Sequence, residues 1–164
     1  VGGVLHITTH ASMKITLFFV AGAIYAHTHR ERISELDGIG RAMPWTMGAF
    51  ALGSIGLAGL PPINGFESKW FIGLGAASSG QELALVVLLI SGVLNAAYFF
   101  PIVHRAFLRP SREFDGVGEA SPLMVVPLVT TAVLSLILGI WPNLVVHFYD
   151  LAIGVASAVF GGAA

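Results

Sequence analysis

The 164-residue sequence has no cysteine, and only 10% of its residues are charged. The missing thiols exclude disulfide scaffolds, zinc fingers, thiolate-held iron–sulfur clusters and cysteine nucleophiles. The shortage of charge excludes an ordinary soluble globule, in which about a quarter of residues are charged. No GxGxxG, Walker A or HExxH pattern occurs. A net charge of −1 without any basic cluster argues against nucleic acid as a partner. No signal-peptide n-region precedes the first apolar run, and the sequence begins at Val1, so a longer parent protein is expected. What is present is 55% hydrophobic residues and 20 glycines. Mean hydropathy is +0.84. This is the composition of an all-α integral membrane protein.

Apolar segments run over 4–26, 45–60, 66–77, 83–108, 123–141 and, more weakly, 143–160. Runs of this length are membrane helices rather than strands. About four to five transmembrane helices are expected, with 1–109 and 110–164 as the two parts of the chain. The stretch Pro61-Pro62-Ile63-Asn64-Gly65 interrupts 45–77 and is expected to break any helix, because prolines lack donors and their rings clash. Each flank is about 12 to 16 residues, or roughly 18 to 24 Å, short of a hydrocarbon core of about 30 Å. Either the segment is a hairpin, or it is one discontinuous helix broken inside the membrane. A break at depth is tolerated only where protein or a watery cavity surrounds it, and it points to a transport site. The hairpin would place the loop of Arg30, Arg32 and Arg41 opposite that of Arg105, Arg109 and Arg112. The broken helix places all six arginines on one face, and the positive-inside bias favours this, with the arginine loops cytoplasmic.

Both lysines, Lys14 and Lys69, lie inside apolar segments, whereas the arginines lie in loops or at helix ends. A lysine near mid-bilayer costs about 2.5 kcal/mol or more and calls for a reason. His6, His10 and Lys14 are spaced i, i+4, i+8, a polar stripe rising about 12 Å. Two histidines at i, i+4 could bind a metal, but no third ligand accompanies them, and no metal is expected. A relay of protons suits the trio better, because histidine titrates near neutrality and desolvated lysine gives up its proton, as arginine does not. Glu67 lies two residues from Lys69 and points to roughly the opposite side. Asn95 is expected to bond between helices. His104, beside Arg105, is either an inner-end relay or interfacial. His147 and Asp150 read as a solvated face, and Trp45, Trp70, Trp141 and Tyr149 as interface or packing rings.

The pattern His6-x-x-x-His10-Ala11-x-x-Lys14-x-x-Leu17-Phe18-x-x-Ala21-Gly22 resembles a signature helix of the antiporter-like, proton-translocating membrane subunits. These include the A-type and D-type subunits of Mrp Na⁺/H⁺ antiporters and the antiporter-like subunits of respiratory complex I and membrane-bound hydrogenases. Leu36-Asp37-Gly38-Ile39-Gly40-Arg41-x-Met43-Pro44 and Leu57-Ala58-Gly59-Leu60-Pro61-Pro62-x-x-Gly65-Phe66-x-x-Lys69 resemble them in order and spacing. The resemblance covers the chain to about Arg109 and is nearest to the D-type Mrp subunits. It implies inverted five-helix repeats, each with a broken helix near a buried lysine or glutamate. Lys69 matches the lysine after the second repeat's break, and His6, His10 and Lys14 match the polar axis leading to it. Relatives are longer and carry a first repeat with its own glutamate–lysine pair, so this chain matches their C-terminal portion.

The resemblance implies a non-enzymatic subunit, without redox cofactor, in a bacterial inner-membrane complex, conducting protons in exchange for Na⁺. Its partners would be other subunits of the complex, membrane lipid, H⁺ and Na⁺. The alternatives are a proton-pumping subunit of a redox complex of the complex I or hydrogenase type, a purely structural subunit, and a transporter of a soluble substrate with its site at the break.

Overall fold

A computed structural model of the protein describes residues 1–110, 113–145 and 147–161; Arg112 lies outside the described residues. All regular structure among these is helical: α1 (Gly2–Thr28), a 3₁₀ turn (Ile33–Glu35), α2 (Ile39–Ala42), α3 (Pro44–Ala58), α4 (Asn64–Ser78), α5 (Glu82–Leu108), α6 (Pro122–Ile140) and α7 (Phe148–Phe160). Three helices are long and apolar enough to cross a membrane, namely α1, α5 and α6. α1 and α5 have 27 residues each, roughly 40 Å.

The fourth span is discontinuous. Residues near 2, 6–9, 13 and 17 of α1 pack successively against 71–72, 68, 65 with 56, and 53. α4 and α3 therefore stack end to end along α1, antiparallel to it, instead of folding back as a hairpin. α5 follows the same line on another side: Gly40 meets Ala106 and Phe107, Phe50 meets Phe99, Gly92 meets Ala58, and Gly73 meets Leu85 and Leu88. α6 runs antiparallel to α1, with Ser135 against Ser12 and Thr131 against Thr16. Its Gly139 lies against the backbone of Pro62, Ile63 and Asn64, so close that no β-carbon fits.

The break is shorter than the sequence pattern implied. α3 ends where Gly59, at φ 83°, turns its N–H back to the Ile55 and Gly56 carbonyls, a left-handed cap that glycine adopts without strain. Only 59–63 are non-helical; Asn64 and Gly65 form the first turn of α4, as the prolines have already done the breaking. Gly65 serves packing here rather than flexibility, since its α-carbon abuts the Gly56 carbonyl and Met13.

The arginine-bearing loops gather at one end. Asp37 accepts from Arg105 at 3.1 Å and Arg109 at 3.4 Å, the Gly38 N–H donates to the Arg105 carbonyl at 3.0 Å, and Arg30 pairs with Glu113. Glu119 caps α3 from this loop region, accepting from the N–H of Trp45 at 2.8 Å and the hydroxyl of Thr46 at 2.5 Å. The core is formed by α1, α3 and α6 together with α2 and the inner face of α5, with Met13, Val20, Ile39, Met43, Met47 and Leu128 fully enclosed. Most of α5 is exposed apolar surface, as a lipid- or protein-facing helix must be.

Candidate functional site

The broken helix creates the polar centre. In a continuous helix the Leu57 carbonyl would accept from residue 61 and that of Ala58 from residue 62, but both are prolines without an N–H. Two carbonyls at the negative end of α3 are thereby freed at membrane depth. Lys69 Nζ donates to the Leu57 oxygen at 2.7 Å, and its stem lies over Gly59, where a β-carbon would collide with it. The Ala58 carbonyl faces the backbone of Gly92 on α5. The sequence thus supplies a cation to the carbonyl that its own prolines orphan.

Lys69 lines a cavity of about 510 Å³ between α4 and α5, and among the described residues it is the one charged side chain there. Trp70, Leu74, Leu85, Leu89 and Val93 form much of the wall. At Leu60 this cavity meets a second groove, between α3 and α5, lined by Pro61, Phe100 and His104. His104 is exposed and lies at the arginine end.

Ser68, adjacent in sequence and about 100° around the helix, faces α1 instead. Its hydroxyl lies 3.0 Å from His6 Nδ1, 3.1 Å from the Thr9 hydroxyl and 3.1 Å from the Gly65 carbonyl. The His6 and His10 ring centroids are 5.3 Å apart. The structure therefore brings His6 and His10 together with Ser68, while its sequence neighbour Lys69 turns to the break. Lys14, one turn beyond His10, points further outward. Steps of four residues on a helix of 3.6 per turn advance about 40° each, so the stripe winds outward. His6 and His10 are half-buried, whereas Lys14 is exposed on this chain. An axis enclosed by this chain alone and running through all three is not what the helix builds.

Other expected residues fall differently. Asn95 donates to the Ser91 carbonyl of its own helix at 2.9 Å rather than across helices. Glu67 is half-buried on the side of α4 away from Lys69, without an ion pair among the described residues. His147 and Asp150 are exposed and 3.4 Å apart, and Asn143 caps α7 beside them. Among the described residues no three His, Asp or Glu side chains gather as a metal site.

Sequence reasoning missed the buried hydroxyls. Ser12 and Ser135 share a hydrogen bond of 3.0 Å, and Thr16 donates to Thr131 at 2.7 Å, joining α1 to α6. The spacing 9, 12, 16 on one face of an apolar helix is the signal that could have found them. Asn64, a helix breaker by its sequence context, is in fact enclosed. It is 1% exposed, and neither amide atom has a partner among the described residues.

Comparison with known proteins places this geometry. Residues 2–95 match the family described as NADH:quinone oxidoreductase/Mrp antiporter, transmembrane. NADH-quinone oxidoreductase subunit N of Desulforudis audaxviator is 42% identical over 108 residues, covering 66% of this chain and 22% of the relative. NADH-quinone oxidoreductase subunit L of Rickettsia conorii is 30% identical over 162 residues, covering 96% of this chain and 24% of the relative. The chain spans about a quarter of the length of these curated relatives. Among solved structures, a chain of the Mrp complex from Dietzia sp. DQ12-45-1b superposes with a TM-score of 0.84 at 22% identity, over 99% of this chain and 38% of that one.

Proposed function

Because the chain belongs to the NADH:quinone oxidoreductase/Mrp antiporter transmembrane family, we propose that it is a proton-conducting segment of a multisubunit membrane complex. The observation that carries this is Lys69, an ammonium held at membrane depth by the carbonyl that Pro61 orphans, next in sequence to the Ser68 that meets His6. The C-terminal end of α3 favours the protonated lysine, and the apolar cavity around it favours the neutral one. Poised between the two, Lys69 loads and releases a proton when a neighbouring charge changes. His6 and His10 exchange protons with it across the break, and Lys14 faces outward to connect this segment with the part that completes the assembly. Residues 1–109 carry the translocating part, and 110–164 close it through α6. The arginine end faces the cytoplasm of a bacterial cell, in keeping with the positive-inside bias.

Two couplings are open to the same site. Exchange for Na⁺ is the reading for an Mrp-type antiporter. Coupling to redox chemistry on other subunits is favoured by the likeness to subunits N and L of NADH-quinone oxidoreductases, at 42% and 30% identity. The test is proton flux in vesicles carrying the assembled complex, driven in turn by an electron donor and by a Na⁺ gradient. Lys69→Ala is expected to assemble normally and lose flux, and Lys69→Arg to do nearly as badly, since arginine does not release its proton. Full flux in Lys69→Arg contradicts the proposal, and failure of both variants to assemble supports a structural role. The driver that works in the wild type separates the two couplings.

A further inference from the structure

The hydrogen bonds around Ser68 carry information about His6. A hydroxyl has one proton to give and two lone pairs to accept with. The Gly65 carbonyl, 3.1 Å from Ser68 Oγ, only accepts, so it takes the Ser68 proton. Thr9 donates to Ser68 at 3.1 Å and fills one lone pair. Its other acceptor, the His6 carbonyl, is longer at 3.4 Å. One lone pair of Ser68 remains, and His6 Nδ1 lies 3.0 Å from it. The set is saturated only if Nδ1 is the donor. Ser68 is 0% and Thr9 1% exposed, so bulk water does not compete for either hydroxyl.

We propose that Ser68, set by Thr9 and the Gly65 carbonyl, is a positioning residue that holds His6 in its Nδ1–H tautomer. Nε2 is then the nitrogen that takes up and releases a proton. The role of this arrangement in transport rests on the proton-conducting reading above; the tautomer itself does not. Because Nδ1 keeps its proton in both states, exchange at Nε2 leaves the hydrogen bond from Ser68 to the Gly65 carbonyl, and with it the first turn of α4, undisturbed. The titratable groups on His6's own helix and on the elements packed against it are His10, Lys14, Tyr25 and His27 on α1, Glu67 and Lys69 on α4, and Tyr149 and Asp150 on α7; α3 and α6 carry none. Of these, His10 has its ring against that of His6, with centroids 5.3 Å apart.

The test is solid-state NMR of the ¹⁵N-histidine-labelled full chain in lipid bilayers, at a pH alkaline enough for neutral imidazole, with the His6 signals identified by their loss in His6→Gln. The wild type is expected to show a protonated Nδ1 and a bare Nε2. Ser68→Ala should shift the tautomer ratio towards Nε2–H by about five- to tenfold, the worth of one hydrogen bond. Thr9→Val, which keeps the shape and leaves Ser68 as an acceptor, should retain Nδ1–H. A bare Nδ1 in the wild type, or an unchanged ratio in Ser68→Ala, overturns the proposal. The wild-type spectrum decides even if Ser68→Ala does not fold. Loss of proton flux with Lys69→Ala is a separate readout, so failure of the transport reading would leave the tautomer result standing.

Discussion

The packing of α6 on the helix break leaves no room for a methyl group at Gly139. A β-carbon there would lie 2.5 Å from the Ile63 carbonyl carbon and nearer still to the Pro62 oxygen and the Asn64 nitrogen. Carbon atoms pack at about 3.5–4.0 Å, so α6 and the break would have to part by about 1 Å. All three obstructing atoms are backbone, and no flexible side chain can move aside. Overpacking of this kind costs about 1–3 kcal/mol, and the rigid surroundings put Gly139→Ala at the upper end. That is roughly a hundredfold in the folded-to-unfolded ratio, at about 1.4 kcal/mol per factor of ten. Gly22→Ala is the control: it also lies inside a helix, with nothing within 4 Å of its β-carbon. Alanine there should stabilise by about 0.5–1 kcal/mol through helix propensity alone. Unfolding of both variants in bicelles, followed by tryptophan fluorescence, measures the difference. If Gly139→Ala is as stable as Gly22→Ala, the seating of α6 on the break is wrong.

Three further outcomes are expected. Asn64→Leu removes a buried amide without partners among the described residues and should raise stability by about 1–3 kcal/mol in the same assay, whereas destabilisation would mean that the amide has a partner. A double-mutant cycle of Ser12→Ala and Ser135→Ala should give a coupling of about 0.6 kcal/mol, as between other membrane helices, and zero coupling would remove this contact from the α1–α6 interface. Glu119→Ala strips the cap from α3 and should cost about 0.5–2 kcal/mol; hydrogen exchange at the amides of Trp45 and Thr46 should rise selectively, and uniform exchange would argue against the cap.

The sequence by itself determined the class and the spans. Long apolar runs with few charges can satisfy their backbone in lipid only as helices, so α1, α5 and α6 were readable within a few residues. The Pro61-Pro62 pair likewise fixed a break, because missing donors are a local property of the chain. Local patterning could not say which way the second half of a broken span goes. That was decided by α1 and α5, two 27-residue helices along which α3 and α4 both lie. Nor could spacing tell which polar residues meet. Ser68 and Lys69 are neighbours in sequence, yet one faces His6 and the other the Leu57 carbonyl, twelve residues away, because successive helical residues point about 100° apart. The same winding carries Lys14 off the line of His6 and His10 to the surface. Residue types and the break are written along the chain; their partners exist only once α1, α4, α5 and α6 have packed around it.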